Sequence, residues 1–131
     1  MFRGLLLFTA VVAATIGTFA CIAPASLLTA KGVADIDPAA VAMTRTVGVA
    51  LLGVASLDFA CRDLRSSPTL RRVLGTNAMF QLLLTPLDPY AYAVGAFSGV
   101  ASFLPNTVLH IVLATVFARA WWTSRTVVCP R

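Results

Sequence analysis

The chain predicts an all-α membrane protein, an up-down-up-down bundle of four transmembrane helices, and three observations carry that expectation. The 131 residues are 59% hydrophobic and only 11% charged, with a mean hydropathy of +0.88, against about 25% charged residues in soluble domains. Four apolar runs follow one another, at about residues 5–28, 42–61, 72–97 and 104–122, each long enough for a hydrocarbon core of about 30 Å. Between the second and third stands the longest polar interval, Cys61 to Arg72, which sets Arg62, Arg65, Arg71 and Arg72 against Asp63. Basic residues crowded between apolar runs belong on the cytoplasmic side, where anionic lipid and the membrane potential favour cations. The runs fill one domain, residues 1–131, and leave no soluble domain beside it.

The first run follows Arg3 and continues beyond the length of a signal-peptide core, so it reads as an uncleaved helix. Thr18-Phe19-Ala20-Cys21 lacks the Leu or Val that a lipoprotein site places three residues before the cysteine. Ala13, Gly17 and Cys21 recur every fourth residue and form a small-residue stripe along which another helix can approach. Pro24 stands near the outer end, where it kinks or ends the helix.

Asp37-Pro38 marks a turn or a new helix start ahead of the second run. That run carries Arg45 near its outer end and Asp58 near its inner end. Gly48, Gly53 and Ala60 keep it slim, and Asp58 is four residues before Arg62, the spacing of an ion pair on one helical face. The third run holds Asn77 and Gln81 and then meets Thr85-Pro86-Leu87-Asp88-Pro89. Two alternatives are open there: a kinked helix continuing to about Phe97, with Ala91, Gly95 and Gly99 on a packing face, or a stop at Pro86 followed by a re-entrant turn. The kinked helix is the preferred expectation, because freed carbonyls in a span can be satisfied by neighbours. The fourth run opens at Pro105-Asn106-Thr107, carries His110 in its outer third, and ends at Trp121-Trp122 beside Arg119 and Arg125, an interfacial anchor.

The distribution of charge then orients the chain. Arg3, the basic loop and the C-terminal arginines fall on one side, and Lys31 and Arg45 fall on the other with Asp35, Asp37 and Asp88. Both termini are expected in the cytoplasm, and the location in the bacterial cytoplasmic (inner) membrane. The net charge of +5 is accounted for by this anchoring, and no basic face with interleaved aromatics points to nucleic acid. All five acids are aspartates, which removes glutamate-based metal motifs; no cofactor or metal is expected. Of the three cysteines, Cys21 lies within a span while Cys61 and Cys129 face the cytosol, so no structural disulfide is expected.

Depth along the spans sorts the polar residues into two layers. Arg45, Asp88 and His110 lie in the outer third; Asp58 and Asn77 lie in the inner third, with Arg62 beyond and Gln81 nearer the middle. Polar groups in hydrocarbon are costly, so each layer should face the interior and bond internally. The outer layer has two readings. In one, His110 is an acid or base oriented by Asp88 and Arg45, with Asn77 and Gln81 as substrate-binding candidates. In the other, Arg45 reaches the headgroups, Asp88 caps the proline break and His110 bonds a carbonyl.

Ala23-Pro24-Ala25-Ser26, Arg45-x-x-Gly48, the arginine-rich inner loop, Asn77, Ser98-Gly99 and His110 together resemble a widespread group of small, uncharacterised four-helix bacterial integral membrane proteins. The resemblance runs from about Leu5 to Trp122 and implies a four-span bundle, with no reaction attached. Pro86 and Pro89 around Asp88 depart from that group's smoother third helix.

The expected function is that of a small multi-pass membrane protein, structural or accessory, with an interior site for a lipophilic small molecule. Its partners are the lipid bilayer and, through the small-residue stripes, a second copy or a helical membrane partner. The alternative is a membrane-embedded isomerase or cyclase moving protons on an apolar substrate, with His110, Asp88 and Arg45 as the catalytic candidates.

Overall fold

The computed structural model describes residues 2–124 and contains helices and turns but no strand among them. Arg125, Cys129 and the rest of the tail to Arg131 lie outside the described residues. The helices are α1 (Phe2–Ile22), α2 (Pro24–Ala30), α3 (Pro38–Cys61), α4 (Pro68–Leu84), α5 (Leu87–Ala93) and α6 (Leu104–Thr123), with a single 3-10 turn at Val100–Ser102. Three of them, α1, α3 and α6, are long and apolar enough to cross a membrane. Large apolar side chains on their outer faces, Val11, Ile22, Val49 and Ile111 among them, are exposed, a surface suited to hydrocarbon and not to water. The chain forms two compact units, Met1–Asp63 and Leu64–Arg131.

In the first unit α1 and α3 pack antiparallel. Arg3 meets Asp63, Thr9 meets Asp58, Gly17 meets Gly48 and Cys21 meets the Arg45 carbonyl, so each step up α1 is matched by a step down α3. The two glycines let the helices approach closely. A methyl group on Gly17 would stand 2.8 Å from the Gly48 carbonyl oxygen, and one on Gly48 would stand 2.7 Å from Cys21 Sγ. The stripe of Gly17 and Cys21 is therefore the crossing point. Gly53 is not part of it, since a methyl there would meet nothing within 4 Å.

Helix starts follow local chemistry. Asp37 caps α3, its carboxylate accepting from the Ala40 amide at 2.6 Å with Pro38 in the first turn. Ser67 caps α4 by accepting from Leu70 at 3.2 Å, with Pro68 next. Helix α4 thus begins ahead of the expected Arg72, and the end of the basic interval forms its first turn.

The third apolar run is not one helix. Helix α4 stops at Leu84, and α5 runs from Leu87 to Ala93. Pro86 has no amide proton to continue the ladder, although Thr85 and Pro86 keep right-handed helical angles. The chain does not reach Phe97 as helix because Gly95, at φ +80°, closes α5: its amide bonds the Tyr92 carbonyl while the Ala96 amide bonds that of Ala91. This is the Schellman arrangement, which requires a left-handed residue. Neither Gly95 nor Gly99 is a packing face; a methyl on either meets nothing within 4 Å.

Helix α2 closes in the same way, through Gly32 at φ +72° with Gly32 bonding Thr29 and Val33 bonding Leu28. Each unit therefore repeats one layout: a long helix, a break at a proline, a seven-residue helix ended by a left-handed glycine, and a second long helix. In the second unit α4 and α6 pack antiparallel, and the Tyr92 and Phe103 rings, 5.0 Å apart, hold the end of α5 over the start of α6.

Candidate functional site

The polar residues of the second unit form one row. Asn106, in the first turn of α6, donates from Nδ2 to Asp88 Oδ2 at 2.7 Å and lies 3.2 Å from His110 Nε2, one turn further along. His110 Nδ1 lies 2.6 Å from Gln81 Oε1 on α4. The Asn106 amide nitrogen that donates to Asp88 is also presented to Nε2, which accepts in the Nδ1-protonated ring. In that tautomer Nδ1 carries the imidazole proton and donates it to Gln81. The row is consistent with a neutral His110 in a single tautomer, tying α4, α5 and α6 together.

Gln81, expected nearer the middle, thus belongs with His110 and Asp88. The cause is the end of α4. Had the helix run to Phe97, Gln81 would lie well short of its outer end; with the helix ending at Leu84, Gln81 is in the last turn. Read from sequence alone, Asn106 marks only a helix start, yet its i, i+4 spacing to His110 places both on one helical face and is the signal that could have found it. Nearby, Thr107 is buried, and its hydroxyl has no hydrogen-bond partner among the described residues.

Arg45 belongs to the first unit. It is exposed on α3, and its guanidinium makes no hydrogen bond or ion pair among the described residues. Asn77 is buried and donates to the Val73 carbonyl of its own helix at 3.2 Å.

Asp58 does not pair with Arg62. It is fully buried and lies 2.8 Å from the Thr9 hydroxyl, which also stands 3.1 Å from the Leu5 and Leu6 carbonyls. Arg62, at the helix end, turns to Asp63 at 3.3 Å and to the Phe59 carbonyl at 2.6 Å, with its guanidinium 3.7 Å from the centre of the Phe59 ring. Asp58 points at α1 from the buried face, whereas the long arginine side chain keeps its charge at the exposed end.

The second feature of this unit is an open groove of about 780 Å³ between α4 and α6. Gly75, Ala78 and Met79 line it from α4, and Ala114, Ala118 and Trp121 from α6, with Arg72 at one end and Leu82 at the other. Its volume is in the range of small-molecule sites. Trp121 can lie against α4 because position 75 has no side chain: a methyl there would be 3.0 Å from the indole Cδ1. The Arg71 guanidinium, 5.3 Å from the centre of the Trp121 ring, adds a cation–π contact. No protein-family model, curated protein or solved structure matches the chain.

Proposed function

We propose that the chain is a four-crossing accessory protein of the bacterial cytoplasmic membrane, with both termini in the cytoplasm, and that its second unit holds a lipophilic molecule in the groove between α4 and α6. The groove itself carries this reading. Its walls are small or apolar apart from the hydroxyls of Thr76 and Thr115, it is open, and one end is bounded by an arginine and a tryptophan, the pair that anchors proteins at the membrane surface. Helix α4 together with α5 counts as the fourth crossing, because α4 lies antiparallel along part of α6, from Arg71 against Trp121 to Gln81 against His110, and α5 continues over the start of that helix.

The polar row supports an accessory role over catalysis. Acid–base work needs a nitrogen within reach of substrate, whereas both nitrogens of His110 are engaged within the unit. The proton-transfer alternative requires Nε2 to exchange Asn106 for a substrate. Native mass spectrometry of protein purified in mild detergent tests the proposal and reads oligomeric state in the same spectrum. The expected result is a co-purifying lipophilic adduct that is lost on Ala118→Phe, which fills the groove. A wild-type spectrum without adduct, or an adduct indifferent to that substitution in a folded variant, overturns it.

A further inference from the structure

The dimensions and charge of the groove specify its ligand more narrowly, on the premise that the groove is a ligand site. From Arg72 to Leu82 the α4 wall rises ten residues, about 15 Å at about 1.5 Å per residue, which is half of a hydrocarbon core of about 30 Å. A partner helix would need a face running the full thickness. A groove that starts at an arginine and a tryptophan and ends at mid-depth matches one acyl chain of one leaflet. The two neighbouring arginines divide the work at its polar end: Arg71 is placed over the Trp121 ring, whereas Arg72 is exposed and has no hydrogen bond or ion pair among the described residues. No acid stands in the first turn of α4 to neutralise it. A guanidinium so placed fits the oxygens of a phosphate group.

We infer that the groove binds an anionic phospholipid of the leaflet facing the basic loop, with the phosphate and headgroup on Arg72 and one acyl chain laid between Ala78 and Ala118 as far as Leu82. Arg72 selects the headgroup, and the small residues of both helices admit the chain.

The test uses the full chain with Trp122→Phe, which leaves Trp121 as its one tryptophan, reconstituted in phosphatidylcholine vesicles. Lipids brominated on the acyl chain, with either a phosphatidylglycerol or a phosphatidylcholine headgroup, are titrated in and the quenching of Trp121 is followed. Quenching by the anionic lipid is expected at roughly fivefold lower mole fraction, the ratio set by one basic residue at an anionic surface. Arg72→Gln should remove the preference and Arg72→Lys should keep most of it. Arg65→Gln, with the same loss of charge outside the groove, should keep it. Ala118→Leu should weaken quenching by both lipids. Equal quenching by the two headgroups, or an equal effect of Arg65→Gln and Arg72→Gln, overturns the assignment of an anionic lipid and leaves groove occupancy standing. Quenching unaffected by Ala118→Leu overturns the groove as a ligand site, and the proposed function with it.

Discussion

His110 Nδ1 lies 2.6 Å from Gln81 Oε1, joining the second turn of α6 to the last turn of α4. With the Asn106 amide presented to Nε2, this contact fits a Nδ1-protonated neutral ring. Nitrogen-15 spectra of the protein in micelles should show Nδ1 as the protonated nitrogen and Nε2 as the bare one. A double-mutant cycle of Gln81→Leu and His110→Phe should give a coupling of about 0.6 to 1.7 kcal/mol, the range of side-chain hydrogen bonds between helices in membranes.

The Asn106 amide donates to a carboxylate, so the two substitutions that alter this pair are unequal. Asp88→Asn keeps an acceptor oxygen and should cost less than about 1 kcal/mol. Asn106→Asp sets a second carboxylate where the present contact is 2.7 Å, and like charges at that distance should lower stability by about 2 kcal/mol or more. Unfolding in mixed micelles measures both, and equal losses would contradict the donor assignment.

Two buried threonines should respond to valine unequally. Thr9 bonds Asp58 at 2.8 Å, so Thr9→Val takes a donor from a fully buried carboxyl group and should cost about 1–3 kcal/mol. The Thr107 hydroxyl has no partner among the described residues, so Thr107→Val removes a desolvated group at constant shape and should be neutral or stabilising by about 1 kcal/mol. Thermal unfolding of the two variants side by side decides the point.

Glycine-to-alanine substitutions separate the α1–α3 crossing from the rest of α3. Gly17→Ala and Gly48→Ala place a methyl against backbone or a packed thiol and should each cost about 1–3 kcal/mol through overpacking. Gly53→Ala meets open space and should stabilise by up to about 1 kcal/mol through helix propensity. The order of melting temperatures checks the crossing.

The long apolar helices α1, α3 and α6 were legible in the sequence because they depend on local pattern, whereas the seven-residue α2 and α5 merge into the runs before them. Asp37-Pro38 announced the start of α3, and the spacing of Gly17 and Cys21 announced the α1 contact. What was not legible depended on where one helix ended. Pro86 breaks the third run while Thr85 and Pro86 keep helical angles, so composition could not separate a kink from a stop, and that choice decided the depth of Gln81. The link from Asp88 to Asn106 joins residues far apart in sequence and appears only once α5 folds over the start of α6. Thr9 gave no sign because a threonine in an apolar helix ordinarily bonds its own backbone, as Thr15, Thr44 and Thr46 do here.

The early stop of α4 also bears on the bilayer around it. Its 17 residues reach about 25 Å, against about 30 Å of hydrocarbon, and Arg71 and Arg72 take part of that length. Were α4 to cross the membrane by itself, so short a span would create hydrophobic mismatch, met by thinning of the adjacent leaflet or by α5 lying along the headgroup boundary. In either case headgroups and water would be drawn down toward Pro86, with Asp88 at the edge of that depression. The proline break would then act on the lipid as well as on the chain, and the protein would favour the thinner regions of its membrane.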